Sequence, residues 1–161
     1  MSEIVVIAHN IRSTHNIGAI FRTCEGFGAS KIIISGYSPY PTTPNDTRLP
    51  HITEKLTQQI HKTALGAEAM VPFEHQESPN LQSLKDQGYK IVGLEQNNHS
   101  VLIQNYQKPS KIALLLGEEV HGITDDLIKS CDDLIEIPMV GQKESFNVSV
   151  AAGIALYALS I

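Results

Sequence analysis

Short apolar runs punctuate this chain, and polar or amphipathic stretches separate them. Ile4-Val5-Val6-Ile7-Ala8 is rich in β-branched residues and fits a strand covered on both faces. Lys31-Ile32-Ile33-Ile34-Ser35, Lys90-Ile91-Val92-Gly93-Leu94 and Leu134-Ile135-Glu136-Ile137 repeat the pattern. Ile112-Ala113-Leu114-Leu115-Leu116 is the most apolar run and is expected at the centre of the sheet. Ala69 to Phe73 contains Pro72, which cannot donate to a ladder, so it predicts an edge strand.

Between these runs the apolar period changes. Ile17, Ile20, Phe21, Cys24 and Phe27 recur at helical spacing, while Gly18, Arg22 and Glu25 share another face. Helical side chains lean toward the N-terminus, so Arg22 is expected to reach back over the bare Gly18 toward the loop carrying Asn16. A solvated pair with Glu25 is the plain alternative for that arginine. Ile52, Leu56 and Ile60 predict a weakly amphipathic helix, and Leu81 and Leu84 a short one closed by Gly88. Thr124 is placed to cap a helix with Asp125 and Asp126 in its first turn. Pro39, Pro41, Pro44 and Pro50 mark a semi-rigid loop, and Glu95 to Lys111 reads as a polar loop.

The end of the chain combines both signals. Pro138 closes a strand, Gly141 to Ser145 is a polar turn, and the next helix is expected to hold Ser145, Asn147 and Ser149 in its first turn. Val148, Val150, Ile154, Leu156, Leu159 and Ile161 cannot all face one core, which implies a second partner surface, most simply another copy of the chain. Strands alternating with helices predict an α/β fold, a mainly parallel sheet flanked by helices, in a single domain spanning 1–161. Ligands in such sheets bind beyond the carboxyl ends of strands, here the loops after Leu94, Leu116 and Ile137.

Composition narrows the chemistry. At 161 residues with 42% hydrophobic content the chain can bury a proper core. A formal net charge of -5 gives no bulk attraction to nucleic acid, so any RNA contact must be local. The first ten residues carry no signal-peptide pattern and no run approaches a membrane span, so a cytoplasmic, membrane-free location is expected. Cys24 and Cys131 fit two reduced thiols, and the seven histidines form no ligand pattern, so no metal is expected. Neither G-x-G-x-x-G nor G-x-x-x-x-G-K-[ST] occurs, which excludes the usual dinucleotide and P-loop readings. Gly117, the Pro138 loop, Ser145 and Asn147 instead offer small residues and backbone donors suited to a flat adenine ring.

Three stretches together carry a resemblance. Asn16-Ile17-Gly18-Ala19-Ile20-Phe21-Arg22-Thr23 with Gly28, Leu115-Leu116-Gly117-Glu118-Glu119-Val120-His121-Gly122, and Ile137-Pro138-Met139 through Ser145-Phe146-Asn147-Val148-Ser149-Val150-Ala151 resemble the three successive motifs of the SpoU (TrmH) RNA ribose 2'-O-methyltransferases of the SPOUT superfamily. Their order and spacing match across essentially the whole chain, and Lys62-Thr63-Ala64-Leu65-Gly66-Ala67 is also family-like. The resemblance implies S-adenosylmethionine as cofactor, a ribose 2'-hydroxyl of RNA as acceptor, a C-terminal trefoil knot, and a homodimer through the C-terminal helix. It implies Arg22 as the catalytic arginine, with Asn16, Glu119, Ser145 and Asn147 completing the site. Leu94, Leu116, Gly117, Ile137, Met139, Ser145 and Phe146 would surround the cofactor. Arg12, Arg22, Arg48 and Lys143 would hold RNA. Transfer RNA is favoured over ribosomal RNA because the chain is minimal beside relatives that add an amino-terminal RNA-binding segment. A non-catalytic RNA-binding homodimer that keeps the fold is the alternative, and a module for another adenine ligand is a third.

Overall fold

A computed structural model describes Met1–Ile161. Its strands are β1 (Glu3–His9), β2 (Lys31–Ser35), β3 (Phe73–Gln76), β4 (Lys90–Leu94), β5 (Val101–Leu102), β6 (Lys111–Leu116) and β7 (Asp133–Glu136). Its α-helices are α1 (Thr14–Gly26), α2 (Pro50–Ala64), α3 (Leu81–Asp86), α4 (Asp125–Ser130) and α5 (Val148–Ser160). The strands form one seven-stranded sheet in the order β3-β2-β1-β6-β4-β7-β5, and every pairing in it is parallel. β6 takes the middle place that its composition predicts. Ile112, Ala113, Leu114, Leu115 and Leu116 are all fully buried, because helices cover both faces of the sheet.

The two faces carry separate cores. One holds Ile17, Ile20, Phe21 and Cys24 of α1, Ile60 and Ala64 of α2, and Ala152, Ala155, Leu156 and Leu159 of α5. The other holds Leu81 and Leu84 of α3, with Leu127 and Ile128 of α4 packed beside them. Burial pushes the Cys24 thiol up to about 12, so it behaves as an inert core side chain.

Several local expectations change. The edge strand starts at Phe73, after Pro72 and not through it, while Ala67–Ala69 forms a single 3-10 turn. The polar stretch after β4 contains the two-residue strand β5, which closes the sheet by pairing Val101 and Leu102 with Ile135 and Glu136. α2 buries Thr53, Ile60 and Ala64, whereas Ile52 is exposed. Thr124 occupies the N-cap position of α4, but its hydroxyl makes no capping bond. α5 begins at Val148 with Asn147 as N-cap, which leaves Ser145 in the preceding loop.

Gly18 is buried and serves a different purpose from the expected one. A Cβ there would collide with the Thr63 hydroxyl and the Ile60 carbonyl of α2, so its bareness lets two helix backbones touch. It opens no path for Arg22, because α2 fills the space over it and the Arg22 side chain, one turn further on, is exposed. Gly18→Val should therefore force α2 off α1 and cost about 2 kcal/mol or more, seen as a lower urea midpoint. An unchanged midpoint would contradict this packing.

Candidate active site

All strands run the same way, so the chain segments leaving β4, β6 and β7 emerge on one edge of the sheet. Between them lies a cavity of about 340 Å³, at the small end of the range for ligand sites. Its wall comes from Leu94, Glu95 and Gln96 at the end of β4, Leu116 to Gly122 at the end of β6, Glu136 and Ile137 at the end of β7, Glu144 to Phe146, and Val148 and Ala151 of α5. Of the residues expected around a cofactor, Leu94, Leu116, Gly117, Ile137, Ser145 and Phe146 are in this wall; Met139 is not.

Gly117 permits the cavity by a route the sequence does not reveal. The chain after it folds back, with Glu118 and Gly122 exchanging backbone hydrogen bonds of 3.1 and 2.8 Å. A Cβ on Gly117 would strike the Gly122 carbonyl carbon and the Ile123 nitrogen, so the glycine makes room for its own loop. Glu95 braces the same loop by accepting from the Ile123 amide at 2.7 Å, and the Gln96 side-chain amide donates to the Glu144 carbonyl at 2.9 Å. No motif in the sequence marks either residue, although a position directly after a strand is a usable signal.

Charge gives the cavity its character. Glu95, Glu118, Glu119, Glu136 and Glu144 line it, and no lysine or arginine does. A cation is favoured there and a phosphate group is repelled.

Beside the cavity, a shallow depression lined by Arg12, Ser13, Asn16, Glu118, Glu119 and Val120 shares three residues with it. One carboxylate organises this edge. Glu119 accepts from the Arg12 amide at 3.1 Å, the Ser13 amide at 3.3 Å and the Asn16 side-chain amide at 3.3 Å. The Asn16 carbonyl oxygen in turn accepts from the Asn147 side-chain amide at 3.2 Å. Asn147 Oδ1 is used as the cap of α5, accepting from the Ser149 amide at 2.9 Å, which fixes which end of the amide faces Asn16. Asn16, Glu119 and Asn147 thus meet as the sequence motifs imply, although they are 103 and 131 residues apart along the chain. Burial pushes the Glu119 carboxyl up, but the donors from Arg12, Ser13 and Asn16 outweigh it and hold it below the ordinary carboxylate range.

The expected cations divide. Arg22 is exposed, lines neither concavity of its own chain, and has no hydrogen bond or ion pair, with Glu25 or otherwise. Lys143 is exposed in the loop before Ser145. The Arg12 side chain is 74% exposed and lies 3.7 Å from Glu118. Arg48 does not fit the RNA-contacting role. Its guanidinium bonds Asp46 and the Tyr40 and Pro41 carbonyls and sits 3.5 Å over the Tyr40 ring, so its donors hold the proline-rich loop together.

A parallel α/β sheet with a cavity past its strand ends defines a class of ligand-binding proteins rather than one activity. Sequence comparison is more specific: residues 3–157 match the SpoU rRNA methylase family, and the chain belongs to that family. It is 31% identical over 157 residues to the tRNA (guanosine(18)-2'-O)-methyltransferase of Aquifex aeolicus, covering 96% of this chain and 67% of that protein. It is 29% identical to the mouse tRNA (guanosine(18)-2'-O)-methyltransferase TARBP1, where it spans 98% of itself but 9% of the relative. The crystal structure of an AdoMet-bound rRNA methyltransferase from Sinorhizobium meliloti shares the fold, with a TM-score of 0.79 at 24% identity over 98% of this chain and 55% of that one. The chain therefore corresponds to only part of each of these proteins.

If Glu119 ties the site together, Glu119→Gln should cost about 1–2 kcal/mol at neutral pH. A depressed carboxyl contributes fully above its ordinary value of 4.5 and loses that contribution as pH falls through its lowered folded value, so wild type and variant should converge in acid. Thermal melts from pH 7 to pH 3 test this, and a gap that widens in acid would contradict it.

Proposed function

We propose that this chain is an S-adenosylmethionine-dependent RNA ribose 2'-O-methyltransferase, with transfer RNA the favoured substrate. In this reading residues 1–161 form one domain with a C-terminal trefoil knot and act as a cytoplasmic homodimer through α5. The observation that carries it is the cavity. It is acidic and phosphate-repelling, half apolar, and placed at three converging strand ends beside the Asn16–Glu119–Asn147 cluster. A dinucleotide would set its diphosphate against five glutamates, whereas a sulfonium and an ammonium are suited to them. Membership of the SpoU family supplies the reaction class.

The residues present fit that cofactor. Leu94, Leu116, Ile137, Phe146 and Val148 offer apolar contact to an adenosine, and the glutamates offer acceptors to its hydroxyls and ammonium group. When bound, S-adenosylmethionine supplies an already activated methyl group. The protein's task is then orientation of a ribose oxygen and relief of the charge that develops as its proton passes to water; orientation alone is worth roughly 7–11 kcal/mol in favourable cases. Glu119 fixes Asn16, and Asn147 fixes the start of α5, so two amides stand on rigid supports beside the cavity. Ser145 lines the cavity from the loop ahead of them. The part of Arg22 is to hold RNA phosphate and stabilise developing oxyanion charge through its guanidinium donors.

Because Arg22 lines neither the acidic cavity nor the depression beside it in its own chain, its action belongs across the dimer interface. α5 supports that arrangement: Ala152, Ala155, Leu156 and Leu159 face the core, while Val150 and Tyr157 are 49% and 59% exposed. Tyr157 also meets Phe27, the residue that closes α1, edge to face with ring centroids 6.2 Å apart, so α5 and the end of α1 present one surface. The absence of Arg22 from the wall of its own cavity is what favours the second reading, a non-catalytic RNA-binding dimer.

Calorimetry and turnover separate the two. The wild type should bind S-adenosylhomocysteine and not NAD. Arg22→Ala should keep that affinity within about twofold while methyl transfer to RNA falls by roughly a hundredfold or more. Mixing Arg22→Ala with Gly117→Val subunits should restore transfer, since one mixed dimer then holds one intact site. Undiminished turnover in Arg22→Ala would remove that arginine from the mechanism, and absence of any transfer by the wild type would favour the non-catalytic dimer.

A further inference from the structure

The cavity that suits a cation is hostile to a polyanion. With five glutamates in its wall and a net charge of -5 on the whole chain, RNA phosphates need a separate landing place. Half of the chain's basic side chains are already neutralised in ion pairs: Arg12, Lys31, Arg48, Lys85, Lys90 and Lys111. Lys55 and Lys62 are not. Both are exposed on α2, and with His51 and Gln58 they follow a spacing of four, three and four residues, which sets all four side chains on one face of the helix. The stripe extends over roughly 16 Å at 1.5 Å per residue, with the exposed Glu54 as the one carboxylate of α2 on its flank.

Its placement relative to the site is fixed by packing. Thr63, the residue after Lys62, donates its hydroxyl to the His15 carbonyl at 2.8 Å. The bare Gly18 allows Ile60 and Thr63 to sit directly on the first turns of α1. His15 adjoins Asn16, which bonds both Glu119 and Asn147. The carboxyl end of the stripe is therefore anchored beside the residues that line the reaction edge.

We infer that the α2 face bearing His51, Lys55, Gln58 and Lys62 is a track for the phosphate backbone of the RNA, holding it while one ribose reaches the acidic cavity. The inference rests on the RNA methyltransferase reading above. Lysine ammoniums grip phosphates as point charges without reading bases, so this surface contributes affinity and register and little sequence preference. It takes over the role that Arg48, committed to its own loop, cannot perform.

Fluorescence anisotropy with a labelled, unmodified transfer RNA transcript tests the track. The full chain would be measured as wild type, as Lys55→Gln/Lys62→Gln, and as Lys129→Gln. Lys129 lies on α4, over the opposite face of the sheet, and is the control. The double variant should bind about tenfold or more weakly near 0.1 M salt, and its log–log salt dependence should be shallower by about 1.5, as expected for two lost phosphate contacts. Lys129→Gln should stay within about twofold of wild type, and all three proteins should bind S-adenosylhomocysteine alike. Wild-type affinity and slope in the double variant would overturn the track and leave methyl transfer standing. A wild type that binds S-adenosylhomocysteine but not the transcript would overturn both the track and the transfer RNA substrate.

Discussion

The carboxylate of Glu119 is the interaction on which the rest of the site depends. It leaves the centre of the sheet at the end of β6 and gathers the backbone donors that begin α1. Through Asn16 it reaches the cap of α5. Three segments far apart in the chain are thereby held at one edge, the start of α1 by charge-assisted bonds to the carboxylate and the cap of α5 by a neutral amide–amide bond to Asn16. The parallel sheet makes this possible, since it delivers the ends of β1, β4, β6 and β7 to the same side. Strand direction creates the meeting place, and the carboxylate determines its shape.

Electrostatics then divides the surface by task. Acidic side chains surround the cavity, while free lysines lie on the outer face of α2. A small cation and a long polyanion would compete if one surface had to attract both, and here the two preferences are separated. α5 joins the functions mechanically. Its N-cap touches the reaction edge, its alanines and leucines fill one core, and Val150 and Tyr157 remain outside as an apolar face. A helix apolar on every side is costly for an isolated chain and suited to one that pairs.

Much of this is written in local pattern. Ile112 to Leu116 declares a central strand because only a strand covered on both faces can be apolar throughout. Ile17, Ile20, Phe21 and Cys24 give away the inner face of α1 by period alone. The strand-end rule also locates the cavity after Leu94, Leu116 and Ile137. What local pattern misses depends on partners distant in sequence. Val101 and Leu102 are too few to signal a strand and become one because β7 offers an edge. Gly18 looks like an opening until Thr63 and Ile60 occupy it. Arg48 looks like a phosphate ligand until Asp46 and Tyr40 claim it. Glu95 and Gln96 read as the start of a polar loop, and only the folded chain sets them against Ile123 and Glu144.

The chemistry of the site is decided by where a methyl group goes. Incubation of the protein with S-adenosylmethionine carrying a labelled methyl and with total unmodified RNA, followed by digestion to nucleosides, measures this directly. The label is expected in a 2'-O-methylated nucleoside from the transfer RNA fraction. Label confined to a base, or to no RNA at all while the cofactor is bound, would contradict the assignment of the acidic cavity and its neighbouring amides to ribose chemistry.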